Sequence, residues 1–274
     1  MRSLRLLPFS LAALLALAAA PLPYGGLPTN FGYVQLADMA LAAPVVISAD
    51  IVSALPLKGE AAAGVAPGET RYYVRAVARA LVSGRADLPP TLNYLVDLPN
   101  DARSKPLKLK NIPVLLLATP PTAAGDLRLI GPHAQVPRTP ENDAQLRAIL
   151  QAKVAPDAPP AITGISRAFH VPGSLPGESE TQIFLRTADA RPISLNVLRR
   201  PGQAPHWAVA LTEMVDDSAA PPARDTLLWY RLACELPSTL PDAALAGLSD
   251  EDAAATKADY GVVLAGLGPC RHAG

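Results

Sequence analysis

The sequence predicts an α+β, β-rich protein: a small N-terminal barrel or sandwich of OB-like size, then an antiparallel meander packed with two helices. Three observations predict it. Apolar and polar residues alternate in several runs, the period of a strand with one buried face. Thirty prolines against four Phe and two Trp cut the chain into short elements joined by many loops. Helical patterns fall before, between and after the alternating runs. At 274 residues and 50% hydrophobic, the chain is long enough for one large or two modest domains with a real core.

The first segment reads as a secretory leader, residues 1–20. Arg2 and Arg5 precede an apolar run from Leu6 to Leu17, which is too short for a comfortable membrane span. Ala16-Leu17-Ala18 then offers a small-residue cleavage site. Two of the 24 basic residues and none of the 24 acidic ones lie in this leader, so the mature chain carries a net charge of −2. That balance argues against nucleic acid and anionic membrane surfaces as main partners. No later stretch is long and apolar enough to predict a transmembrane helix once the leader is removed.

Residues 21–135 supply the barrel-like part. Phe31 to Ala42 can form a short helix that stops before Pro44. Val45 to Leu55 reads as a strand with Val45, Ile47, Ala49, Ile51 and Leu55 on one face. Thr70 to Val82 sets Tyr72, Val74, Ala76, Ala78 and Val82 against Arg71, Tyr73, Arg75 and Arg79. Thr91 to Leu98 presents Leu92, Tyr94 and Val96. Leu107 to Ala118 and Leu127 to Ile130 supply a fourth and a fifth strand. Such a set suits a small barrel or a sandwich.

Residues 136–160 read as a linker helix. Thr139 is its N-cap, Pro140 sits at N1 and Glu141 lies in the first turn. Leu146, Ile149 and Leu150 give it an apolar stripe, and Pro156 to Pro160 ends it. Residues 161–274 hold the meander. A strand at 165–171 comes first, then a Pro/Gly loop at 172–177. One face of the following strands collects Ile183, Leu185, Ile193, Leu195, Val197, Trp207, Val209 and Leu211. Phe184 and Leu198 break the polarity of the other face. Setting Leu185 opposite Leu195 predicts a loop of about three residues centred on Ala190. Arg200-Pro201-Gly202-Gln203 predicts a type II turn. A helix follows from about Asp225 to Leu236, with Leu228, Leu232 and Leu236 aligned. Ser249 and Asp252 form a capping-box-like start for a last helix, which Gly268-Pro269 ends. In an exported chain, the isolated pair Cys234 and Cys270 predicts one disulfide.

Three segments resemble exported proteins of sphingomonad-type bacteria: Arg71-Tyr72-Tyr73-Val74-Arg75, Pro172 to Phe184 and Leu227 to Cys234. The resemblance extends over the mature chain. It implies export and brings no catalytic residues with it.

The densest cluster of reactive side chains is His170, Glu178, Ser179, Glu180 and His206. A serine nucleophile needs a base within hydrogen-bond reach and an acid to orient that base. His170 and Ser179 flank one loop, so they could meet. No G-x-S-x-G elbow or oxyanion element accompanies them, and a polar turn entering a strand explains Glu178 and Ser179 equally well. His133, His170, His206 and His272 are scattered, without metal-ligand spacing. Spacing singles out no two of Glu178, Glu180, Glu213 and Asp216 as a carboxylate pair for glycoside chemistry. Arg103, Lys105, Lys108 and Lys110, with Arg71, Arg75 and Arg79, could form a cationic face for an acidic glycan or a partner. Lysine protection of an edge strand is the plainer reading. No phosphate-cradling loop or cofactor motif occurs. The sequence therefore predicts a periplasmic or secreted, non-catalytic binding or interaction module of the cell envelope, its partner an envelope protein or a glycan. A serine hydrolase using Ser179 and His170 is the alternative.

Overall fold

A computed structural model describes residues 24–211 and 219–270. The leader with its cleavage site, Glu213, Asp216 and His272 lie outside the described residues. Helix α1, Tyr33–Ala42, buries Val34, Leu36, Ala37 and Ala40. It stops where Ala43 turns extended ahead of Pro44, as the residue before a proline must. Five strands follow: β1 Val45–Pro56, β2 Glu69–Ser83, β3 Thr91–Pro99, β4 Pro113–Ala118 and β5 Gln135–Pro137. They form one antiparallel sheet in the order β3-β2-β1-β4-β5.

The expected alternation holds in β2 and β3. Tyr72, Val74, Ala76, Leu92, Tyr94 and Val96 are buried, while Tyr73 and Arg75 are exposed. In β1 it fails at one residue. Leu55, expected on the core face, is 62% exposed. The register steps from Ile51↔Ala76 to Ser53↔Arg75, so Val52 is an extra residue in a β-bulge. An inserted residue inverts every side chain that follows it.

The sheet curls into a half-barrel that residues 125–134 close. Asn93 on β3 pairs with Asp126, and Ala118 on β4 pairs with Leu129. Farther along, the Asp97 amide donates to the Pro132 carbonyl and the Leu117 amide to the Ala134 carbonyl. Leu127 to Ile130, expected as a full strand, thus contributes a single bridge within this closure. The fourth strand is shorter than expected. Asn111 takes a positive φ of 65°, which breaks the extended run. Leu107 and Leu109 are nevertheless buried, and the Leu107 amide donates to the Tyr72 hydroxyl.

Helix α2, Pro140–Val154, starts as expected, with the Thr139 hydroxyl accepting the Asn142 amide at 3.1 Å. Leu146, Ile149 and Leu150 are its buried stripe, and it packs on α1. Strand β5, just before it, belongs to the first sheet.

The second sheet is a four-stranded antiparallel meander: β6 Ile162–Pro172, β7 Ser179–Thr187, β8 Ile193–Arg199 and β9 His206–Ala210. The expected core face is buried except for Leu211, which lies past the end of β9. The β7–β8 register differs from expectation by two residues: Leu195 faces Ile183, and Leu185 faces Ile193. The cause is the connection. Ala190 takes φ 61°, and the Thr187 hydroxyl donates to the Arg191 carbonyl, so the chain reverses more tightly than expected, with residues 186–192 rather than 186–194 between the facing pair. A slip of two preserves the faces. The Arg200–Gln203 reversal closes as expected, with the Gln203 amide donating to the Arg200 carbonyl and Gly202 at φ 72°.

Helices α3, Leu227–Glu235, and α4, Asp250–Leu267, cover this sheet, with a 3-10 turn at Asp242–Leu245 between them. Thr226 and Ser249 cap their N-termini. Glu235 accepts the Ile162 amide at 2.6 Å, and Tyr230 on α3 donates to Asp38 on α1. The buried apolar residues of both sheets and all four helices form one continuous cluster. Cys234 and Cys270 are disulfide-bonded, with Cα atoms 5.1 Å apart. Beside them the Trp229 indole donates to the Leu267 carbonyl at 2.9 Å. No helix among the described residues is long and apolar enough to cross a membrane.

Cys234 and Cys270 are separated by 36 positions in the chain. Replacing both by Ser is expected to destabilise the protein by roughly 3–4 kcal/mol, through the entropy of the opened loop. Urea unfolding of oxidised wild type and the double variant measures it. Ile183, fully buried at the centre of the meander, is expected to cost about 2–5 kcal/mol on Ile183→Ala, read in the same experiment.

Candidate functional site

Antiparallel pairing sets His170 directly opposite Thr181, and Ser179 opposite Pro172 on one side and Arg199 on the other. The imidazole Nδ1 of His170 lies 2.8 Å from the Thr181 hydroxyl; no hydrogen bond joins it to Ser179. Glu178 folds back on its own loop, its Oε2 accepting the amides of Ser174 and Leu175. Glu180 and His206 stand on the opposite face of the sheet, exposed, on either side of Leu198. The five residues of the cluster are thus divided between two faces and a turn.

The basic residues divide similarly. Arg71 grips Asp97 through two bonds of 2.8 Å, and Arg79 reaches Asp50 at 2.7 Å. Arg75 is exposed, with no ion pair to a described residue. Lys108 and Lys110 are exposed on the irregular segment ahead of β4, not on a sheet edge.

What the meander does assemble is a buried carboxylate. Asp259 on α4 is fully buried. Its Oδ1 accepts Arg199 Nε at 2.6 Å, and its Oδ2 accepts the Thr181 hydroxyl. A hydroxyl has one proton to give. Thr181 therefore accepts from His170, which places a proton on Nδ1. The His170 side chain is only 7% exposed. The chain His170 to Thr181 to Asp259 orients an imidazole, but Ser179 is not bonded to it. It ties three strands to one helix. Among the described residues, no three His, Cys, Asp or Glu side chains come together as a metal site.

A different place has the shape of a binding site. At one mouth of the half-barrel is a cleft of about 450 Å³, lined by residues 27–31, Gln35, Glu69, Asp97 to Pro99, His133, Gln135 and Pro137. Its size falls in the range of small-molecule sites. Leu27, Phe31, Leu98 and Pro137 give it apolar walls, while Glu69 and His133 pair at its rim, 3.3 Å apart. In its lining Gln135 is 2% exposed. The Tyr94 hydroxyl donates to Gln135 Oε1 at 2.6 Å. Burial pushes this phenol well above its usual range, so it keeps the proton it donates. That fixes the amide and leaves Nε2 as the free end, buried without a partner. An unmet buried donor costs about 1–3 kcal/mol. A second gap, of 620 Å³, opens between β3 and residues 127–132, but no buried side-chain atom without a partner lines it.

Compared with protein-family models, with curated proteins and with solved structures, the chain matches none.

The sequence carried one readable hint of the carboxylate. Asp259 falls on the buried stripe of α4 with Thr256, Tyr260 and Val263, and a charge on an apolar stripe demands a partner. Gln135 gave no such hint, because β5 is three residues long and shows no period.

The charge centre makes a directional prediction. The Arg199 side chain is 35% exposed and Asp259 is not exposed at all. Arg199→Ala strands a buried carboxylate and is expected to cost about 3–5 kcal/mol. Asp259→Asn frees a guanidinium that can turn to water, and is expected to cost about 1–3 kcal/mol. Paired denaturant melts give the order.

Proposed function

We propose that this is an exported cell-envelope protein that works by binding rather than by catalysis, with its ligand in the cleft at the barrel mouth. The observation that carries the reading is the cleft itself: a volume of small-molecule size, lined by apolar residues and by a few polar ones, among them Glu69, His133 and Gln135. Pockets of this make-up bind ligands, with the polar groups fixing orientation. Export rests on the leader and on the resemblance to exported sphingomonad-type proteins. The hydrolase alternative needs Ser179 on an imidazole, and the His170 Nδ1 is bonded to Thr181 instead.

A fluorophosphonate probe separates the two readings. The folded full chain is expected to remain unlabelled, and Ser179→Ala to leave its thermal melting unchanged. Stoichiometric labelling that disappears in Ser179→Ala would establish a serine hydrolase and overturn the binding reading.

A further inference from the structure

We infer that the free edge of β6, from Phe169 to Gly173, takes an extended segment of a partner protein as a fifth strand of the meander. This surface is separate from the cleft. In an antiparallel pair, successive residues turn their main-chain groups alternately to the partner strand and away from it. The Gly173 amide donates to the Glu178 carbonyl, and the register counts back from there. Val171 and Phe169 therefore bond β7. His170 turns its N–H and C=O to the open side, and Pro172 its C=O. No group among the described residues meets them. The His170 side chain is only 7% exposed, yet the residue as a whole is half-buried, so its main chain reaches the surface. Edge groups on other strands find partners. Asn93 and Asp97 on β3 bond residues 125–132, and the Val209 amide on β9 donates to the Ala220 carbonyl. The first half of β6 carries two register breaks, and its Ile162 amide donates to Glu235. Bulges and covered ends of this kind prevent pairing; residues 169–173 have neither.

A free N–H and C=O on one extended residue match the main chain of another extended segment. The neighbouring side chains name its chemistry. Phe169 and Val171 are 43% and 62% exposed on the outer face of the sheet. Arg167 lays its guanidinium over the Phe169 ring, 4.7 Å from the centroid, and pairs with no acid among the described residues. Glu180 stands beside Val171 on the same face, so an acid is welcome at the Arg167 end alone. An antiparallel segment therefore reads apolar, any, apolar, any, acidic. Its apolar residues lie opposite Val171 and Phe169, its acid reaches Arg167, and the residue between the apolar two exchanges two hydrogen bonds with His170.

The test uses the isotope-labelled full chain and a capped peptide, acetyl-TVTVTET-amide, followed by amide NMR shifts and hydrogen exchange. In the free protein the His170 amide is expected to exchange quickly, while those of Phe169 and Val171 are protected. Peptide at up to about 1 mM is expected to give saturable shifts centred on residues 167–173 and to slow exchange at His170. Methylating the backbone nitrogen of the threonine between the two valines is expected to weaken binding at least about tenfold, through the lost hydrogen bond. Arg167→Glu is expected to weaken the peptide about two- to fivefold and to favour a version with lysine in place of glutamate by a similar factor. Absence of saturable shifts, shifts centred elsewhere on the protein, equal binding of the methylated peptide, or an unchanged preference in Arg167→Glu overturns the inference. So does a His170 amide that gains protection with protein concentration alone, which gives the edge to a second copy of this chain. None of these outcomes touches the fluorophosphonate result or the cleft.

Discussion

One buried carboxylate governs how the second half of the molecule is put together. Asp259 enters the core on α4 and finds its counter-charge and hydrogen bonds on strands of the meander, from Arg199 and Thr181, with His170 behind Thr181. Buried ion pairs are poor sources of net stability, because desolvation offsets most of their attraction. Their effect here is on geometry. Rotating α4 by one residue would swing the carboxylate about 100° away from the sheet, leaving a charge in apolar packing. The helix therefore has one acceptable position. With it fixed, Trp229 can reach the Leu267 carbonyl and Cys234 can reach Cys270. Helix α3, held from that side, then carries Tyr230 to Asp38 and joins the first sheet's helix.

The first half is governed by curvature. A five-stranded sheet with exposed edges invites pairing with other chains. Here residues 125–134 satisfy groups on both β3 and β4, and the sheet wraps its own core. Closure by an irregular segment is less complete than closure by a strand. Where the seam opens beside the entry to α1 lies the cleft with Gln135 in its lining. The cleft and the imperfection of the barrel have one cause.

Most of the fold was legible because it rests on local periodicity. Alternation located β2, β3, β7 and β8, and the cap residues Thr139 and Ser249 marked helix starts that the structure keeps. The misses share a physical origin in single residues with special backbone geometry. Val52 inserts a bulge, Asn111 ends an extended run and Ala190 tightens a reversal; of the three only Asn111 is of a residue type that takes positive φ readily. The site was less legible. His170 and Ser179 stood out as reactive types near one loop, yet the register gave His170 to Thr181, a residue with no signal of its own. Gln135 depends on a strand of three residues and on Tyr94, 41 positions away in sequence, and no window of sequence contains both.

The lateness of Asp259 in the chain bears on how the protein is made. The strands of the meander can pair as they emerge during synthesis, since each neighbours the next. One end of the meander then holds Arg199 and His170 without the Asp259 carboxylate that pairs with Arg199 in the folded protein. That end of the sheet is thus completed only when residues 250–267 pack on it. Cys270 follows the same helix, so the disulfide can close only after residues 250–267 have been made.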